Sequence, residues 1–526
     1  MPSPSATTPT SKITFTGNNL IDALLLNERW ASNAGSSVKL TYSFPWENGQ
    51  NASFFGAYNL PYSSNNEWTA EYRYSLDATQ QSAFVSALQL WANIANVSFT
   101  KSADNETVVG DIRIAFSSAP SLDKLWGYTS PPNSFFPKAG DIWISNKSNY
   151  GNWSNNSYNY ESLIHEIGHA LGLDHPFEGK NVLPTKYENT QYTVMSYTAM
   201  EDNYWVAGNY KVYAETPMVL DIQAIQYIYG ANYSFNSGNN TYTFDPTKPF
   251  YRTIWDGGGT DTISIANFST DCIIDLQAGS YSSLLFNYTP SSRTDAYIGL
   301  NNLGIAYGCI IENVIGGSGN DAIFGNSANN VLSGGLGNDT LIDIEGNDTL
   351  NGGSGIDTAK YFLDKASFDI QVYSDYILLT GPNRTHKIVD VEYLEFSDQK
   401  IATSTLVPIQ KITGTASNDS LLGNSENDEI WSLTGNDTIR GNGGNDNLNG
   451  GPGLDVCVYT GKRSEYSYSS TRVADSVKDR DGIDTIANVE RIRFSDSTIA
   501  FDIEGNAGQA YRLYKAALAH ILQVSR

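Results

Sequence analysis

Residues 160–176 read YESLIHEIGHALGLDHP and carry three of the five histidines in a chain of 526 residues. Histidines four residues apart leave the same face of an α-helix, so His165 and His169 can grip one ion. Glu166 lies one position round, near enough to hydrogen-bond a water on that ion without ligating it. Gly172 permits the left-handed residue that ends a helix, and the chain then swings His175 in as a third nitrogen ligand. Three imidazoles leave a fourth zinc position open, the pattern of a catalytic rather than a structural site. Zinc there would bring the pKa of a bound water to about 7, and Glu166 would take its proton as it attacks a peptide carbonyl. A site without activity would be expected to lose Glu166 first.

Around this stretch the composition is that of an ordinary mixed domain. Helical signals cover 78–95, 160–173 and 217–229, with Pro217 opening a first turn. GDIRIAF from Gly110 and GDIWIS from Gly140 alternate in the strand manner, so the domain reads as α+β. With 40% apolar and 17% charged residues the chain is able to fold. Its net charge of -24 excludes nucleic acid and anionic membrane as partners, and favours hard cations. Three cysteines, Cys272, Cys309 and Cys457, make no disulfide framework. The start, MPSPSATTPTSKITF, has no basic or apolar region of a signal peptide, and no apolar run of about 18 residues spans a membrane.

Past residue 250 the pattern changes to glycine, asparagine and aspartate with a period of nine. From Gly316 the chain reads GGSGNDAIF, GNSANNVLS, GGLGNDTLI, DIEGNDTLN and GGSGIDTAK; from Gly414 it reads GTASNDSLL, GNSENDEIW, SLTGNDTIR, GNGGNDNLN and GGPGLDVCV. This is the calcium β-roll repeat, in which glycines turn the chain and a large apolar residue starts each short strand. Two repeats make a coil, so Asp321, Asp339 and Asp357 are expected along one edge and Asn330 and Asp348 along the other. The second block gives Asp419, Asp437 and Asp455 against Asp428 and Asp446. Stacked carboxylates repel unless a cation sits between them, which calls for several structural Ca2+ ions.

The two blocks are offset by 98 residues, and VEYLEFSDQKIA from Val391 recurs as VERIRFSDSTIA from Val489 with the same offset. Each unit thus reads as a roll followed by a small β-cap. The expected organisation is a flexible leader or propeptide over 1–20, a metallopeptidase domain over 21–245, roll units over 246–410 and 411–503, and a helix over 504–526.

HEIGHALGLDH resembles the extended zinc motif of the metzincin metallopeptidases. Met195 in YTVMSY matches their methionine turn, and Tyr197 matches the tyrosine that serralysins and astacins place near zinc. Pro176 looks like the serralysin choice after the third histidine, and LDIQAIQYIYGAN and TIWDGGGTDTISIANF look like serralysin segments. The resemblance implies an α+β metzincin catalytic domain followed by an all-β, duplicated parallel β-roll. It implies one catalytic Zn2+, Tyr197 as a further zinc ligand that swings to the oxyanion in turnover, and Met195 as an apolar floor. It also implies Asp256, Gly258, Asp261 and Glu312 as calcium ligands ahead of the nonapeptides, GDIWIS and KLWGYTSPP as borders of the substrate groove, and TAMEDNYWVAG as a pocket wall. A secreted endopeptidase of the serralysin kind follows, exported in one step on a C-terminal signal, with protein substrates and a proteinaceous inhibitor as candidate partners and a monomeric state. The competing reading is a calcium-dependent adhesin whose peptidase domain is a relic.

Overall fold

The computed structural model describes residues 8–31, 33, 35–55, 62–133, 137–199, 211–286, 297–478, 480–501, 508–510, 513, 514 and 517. Its compact units are Met1–Phe362 and Leu363–Arg526. The division between them falls after the strands of the first roll. Pairing explains it: Thr241–Thr243 and Arg252–Ile254 lie parallel to Thr262–Ser264 and Leu303–Ile305, so the chain leaves the catalytic domain as sheet rather than as a linker.

The catalytic part of the first unit is a twisted sheet with helices against it. In spatial order the strands are Val97–Lys101, Val38–Ser43, Ile112–Ser117, Ile142–Ser145 and Gly127–Thr129; the first four run parallel and the last antiparallel at the edge. Every residue of Ile112–Ser117 is buried, as expected of a strand covered on both faces. The helices are α1 (Asn19–Asp22), α2 (Ala78–Ile94), α3 (Tyr158–Leu171) and α4 (Val219–Tyr229). A capping box between Asp77 and Gln80 starts α2, whose buried face carries Phe84, Leu88 and Trp91. Pro217 stands outside α4, which Met218 caps.

The described part of the expected leader is not loose. Thr10–Lys12 pairs antiparallel with Glu28–Trp30, and the Asn18 side chain caps α1. Further on, the Leu26 N–H donates to the Gly172 carbonyl and the Asp174 N–H to that of Leu24, each at 3.0 Å. Residues 24–26 are thereby stitched to the turn that carries the third histidine. Of the expected C-terminal helix, residues 508–510, 513, 514 and 517 are helical, and the remainder lies outside the described residues, as does 200–208 of the expected pocket wall. All three cysteines are buried and free. Among the described residues no helix is long and apolar enough to cross a membrane.

Beneath the sheet, Arg113 holds Asp104 through two bonds of 2.9 Å and lies 3.9 Å from Asp141, which also accepts the Tyr62 hydroxyl. Burial pushes Asp141 up to about 7 against the pull of Arg113, with Asp104 and Glu67 adding to the rise. An acid whose folded pKa exceeds its unfolded value of about 4 binds the extra proton in the native state. Its contribution to stability is full below about pH 4 and is lost as pH rises through about 7. Asp141→Asn is expected to flatten that decline, read as the change in urea midpoint between about pH 5 and about pH 8 in variant and wild type.

The roll follows in the same unit. Thr262–Ser264, Asn313–Ile315, Val331–Leu336 and Thr349–Ser354 form one parallel ladder, and Ile273–Asp275, Ala322–Phe324, Thr340–Ile342 and Thr358–Lys360 the other. Repeats two apart face each other, Leu332 opposite Leu350 and Leu341 opposite Ala359. The apolar repeat residues Ile323, Leu332, Leu341 and Leu350 are 0% exposed, so they form the core of the coil rather than a solvated linker. Glycine is required where coils meet: a Cβ on Gly355, at φ 154°, would lie 1.6 Å from the Gly337 carbonyl oxygen.

The second unit repeats this plan. Lys411–Thr413, Glu429–Trp431 and Asn447–Asn449 form one ladder; Ser420–Leu422, Thr438–Arg440 and Val456–Val458 form the other. Ile483–Ala487 and Arg491–Arg493 extend the two ladders in parallel, and Thr498–Ala500 closes the cap antiparallel to Arg491–Arg493. The first cap has the matching hairpin, Tyr393–Glu395 with Lys400–Ala402.

Candidate active site

Helix α3 begins where Ser157 accepts a hydrogen bond from the Tyr160 N–H and ends at Gly172, whose φ of 107° closes it in the left-handed region. The next residues return His175 to the helix face. His169 Nε2 lies 3.0 Å and His165 Nε2 3.4 Å from His175 Nε2, and one ligand atom from each lies within 4.8 Å of the others. Each opposite nitrogen has an acceptor: His165 Nδ1 is 2.8 Å from the Val194 carbonyl, His169 Nδ1 2.8 Å from that of Leu173, and His175 Nδ1 3.2 Å from Glu178 Oε1. The Nδ1 atoms therefore carry the protons, and three Nε2 lone pairs face one point with no donor among them. Tetrahedral zinc ligands at about 2.0–2.1 Å from the ion stand about 3.4 Å apart, so the trio fits that ion. Burial lowers His165 to about 4 and His169 well below its ordinary value, which keeps both rings in the neutral form a metal needs.

A second layer sets these rings. Asp221, in the first turn of α4, accepts from Thr193 Oγ1 at 2.5 Å and from the N–H groups of Val194 and Met218 at 2.8 Å each. It thus holds the turn that supplies the Val194 carbonyl to His165. Met195, fully buried, fits beneath α3 because residue 168 is glycine: a Cβ there would sit 2.7 Å from Met195 Sδ and 3.4 Å from the Trp91 ring. Alanine for glycine inside a helix normally stabilises by about 0.5–1 kcal/mol, whereas overpacking costs about 1–3 kcal/mol. The clash should win, so Gly168→Ala is expected to lower Tm and loosen the zinc site; an unchanged melting curve would count against this packing.

Glu166 is 6% exposed, and burial pushes it up to about 7. Thr129 Oγ1, on the edge strand, donates to Glu166 Oε2 at 2.6 Å. The Tyr197 hydroxyl lies 2.8 Å from His175 Nε2, its ring 5.5 Å from that of His165. All five residues that the sequence assigns to this centre thus come together. Thr129, Gly168, Asp221 and Glu178 were not singled out in the sequence, although Thr129 lies in KLWGYTSPP, Gly168 in HEIGH and Asp221 in LDIQAIQYIYGAN, and Glu178 stands three residues after His175.

The aspartates of the repeats form ladders with a step of 18 residues. The Asp321 N–H donates to Asp339 Oδ1 and the Asp339 N–H to Asp357 Oδ1, each at 2.7 Å. Asp419 donates to Asp437, Asp437 to Asp455, and Asp428 to Asp446 in the same way. Asp348 Oδ1 accepts from the Asn330 N–H at 2.8 Å. Two further rungs come from the second cap: Asp484 Oδ1 accepts from the Asp446 N–H at 2.9 Å, and Glu490 Oε2 from that of Asp455 at 2.8 Å. The outer oxygens Oδ2 of Asp339, Asp437, Asp446 and Asp455 are buried and have no hydrogen-bond partner. Burial and neighbouring carboxylates raise Asp339 to about 7 and Asp446 to about 8. Orphaned, mutually repelling oxygens are what a hard cation satisfies, so these residues fit Ca2+. At Asn330 the amide instead donates to the Glu312 carbonyl at 2.9 Å and to Asn326 Oδ1 at 3.0 Å, and needs no ion.

Ahead of the repeats, Asp256 Oδ1 accepts from the Gly258 N–H at 2.8 Å, and Glu312 Oε2 from that of Asp261 at 2.7 Å. Asp261 Oδ2 is buried without a partner. Burial, with the charges of Asp256 and Glu312 adding to the rise, pushes Asp261 up to about 6, so Asp256, Gly258, Asp261 and Glu312 share one neighbourhood.

An α+β domain with three convergent imidazoles over a methionine turn, continuing into a parallel β-roll, is the architecture of a metzincin with a serralysin-type C-terminal region. Residues 59–214 match the family model of matrixin, peptidase M10, and residues 219–522, more than half of the chain, match that of the peptidase M10 serralysin C terminal. The chain belongs to the serralysin family of M10 peptidases. It is similar to serralysin of Proteus mirabilis, 36% identical over 337 residues that cover 57% of this chain and 61% of that protein. Serralysin B of Dickeya chrysanthemi is 34% identical over 317 residues, 55% and 59% of the two chains, and metallopeptidase AprA of Pseudomonas marginalis 33% over 282 residues, 49% and 56%. The matches span about six tenths of the length of these curated relatives.

Proposed function

We propose that the chain is a secreted, zinc-dependent endopeptidase that hydrolyses peptide bonds in protein substrates and is stabilised by calcium in its two rolls. The observation that carries this reading is the set of three Nε2 lone pairs converging beside a buried carboxylate. His165, His169 and His175 would hold a zinc ion, which would supply Lewis acidity for the scissile carbonyl and for a water.

The chain's own groups do the rest. The substrate backbone adds antiparallel to Gly127–Thr129, the strand that ends the sheet. Thr129 fixes Glu166 Oε2, so Oε1 takes the proton from the attacking water and returns it to the leaving amine. Tyr197, 69% exposed, is free to turn its hydroxyl from His175 to the oxyanion.

Casein digestion with and without a zinc chelator, together with metal analysis, tests the reading. Cleavage that stops on chelation and returns with zinc is expected. A protein that never cleaves yet holds calcium would instead support the adhesin.

A further inference from the structure

One carboxylate approaches the zinc centre from behind. We propose that Glu178 is a positioning residue for His175: it accepts the Nδ1 proton, fixes the ring's tautomer and orientation, and makes His175 Nε2 the strongest donor of the three. The proposal rests on the zinc-peptidase reading above.

The three ligands are not held alike. His165 and His169 leave a helix, where the preceding turn restricts side-chain direction, and their Nδ1 atoms face neutral backbone carbonyls. His175 leaves a loop, so no regular backbone selects its ring orientation. Side chains do so instead. Phe177 lies flat against the ring, centroids 5.1 Å apart and planes 9° from parallel, while Glu178 Oε1 takes the outer edge at 3.2 Å. The loop is closed locally: Asp174 Oδ1 accepts the His175 N–H at 2.9 Å, and the Glu178 N–H donates to the His175 carbonyl at 3.3 Å. His175 Nε2 also lies 3.0 Å from His169 Nε2 and 2.8 Å from the Tyr197 hydroxyl, so a tilt of this ring disturbs the rest of the centre.

A charged acceptor strengthens the hydrogen bond and raises ligand basicity more than a carbonyl does. The Glu178 side chain is 57% exposed, and water screens part of that effect. Removing such an outer partner costs about 10–100-fold in metal affinity, and screening places Glu178 at the lower end.

The test is zinc affinity of the full chain, by competition with a chromogenic chelator, for wild type and Glu178→Gln, with the ligand-field spectrum of each cobalt(II)-substituted protein. Gln keeps the size of an exposed side chain and its acceptor oxygen but removes the charge, so a merely structural role would survive it. Zinc binding about tenfold weaker and a shifted cobalt spectrum are expected. Equal affinities with superimposable spectra overturn the proposal and leave the zinc reading standing. A wild type that binds no zinc overturns both.

Discussion

Glu166→Gln is expected to lower kcat/KM on a protein substrate by about 10²–10⁴-fold while zinc content and fold are unchanged. Gln fills the same volume, so the buried position beside Thr129 keeps its packing and Oε1 can still accept from Thr129 after a rotation of the amide. What it lacks is a basic oxygen for the proton of the attacking water. Peptide hydrolysis measured beside zinc content separates the two effects. Loss within a factor of ten would mean that another group moves the proton. Loss together with zinc would mean that Glu166 is structural.

Calcium removal should have the largest effect on structure. Four buried aspartate oxygens in the ladders have no hydrogen-bond partner, and uncompensated buried charge costs several kcal/mol per group. A chelator selective for calcium over zinc should therefore unfold residues 316–500 before it empties the zinc site. The second roll, which shares no compact unit with the catalytic domain, should go first. Hydrogen exchange resolved along the chain, with zinc content in parallel, checks this order; simultaneous loss of both would count against it. Refilling to 100 times Kd should return about 2.7 kcal/mol per site.

Local periodicity carries what is legible in the sequence. His165 and His169 are four apart because one helical face repeats at that interval, and the nonapeptides pair two apart because two make a coil. Both relations lie within a short stretch, so spacing alone reveals them. Thr129 and Asp221 reach the centre from an edge strand and a distant helix, and no interval links them to the motif; Glu178 stands three residues after His175, but in a loop, where spacing predicts no shared face. Asp484 and Glu490 were missed because the cap delivers them 38 and 35 residues after the residues they accept from, outside the repeat of 18. Within the leader, composition gave no sign that Thr10–Lys12 pairs with Glu28–Trp30, because a Ser/Thr/Pro-rich segment can still complete a two-stranded sheet when a partner strand offers open hydrogen bonds.

Each ladder rung in the roll leans on only its immediate neighbour, the Asp419 N–H on Asp437 and the Asp437 N–H on Asp455. Such an array is modular in the manner of a stack of coins. Excising one complete turn of two repeats leaves the turns above and below with compatible faces, whereas excising a single repeat swaps the two edges and breaks every contact. The length of this protein can therefore vary in whole turns at small cost to what remains, which makes tandem copying of its C-terminal half a mild change.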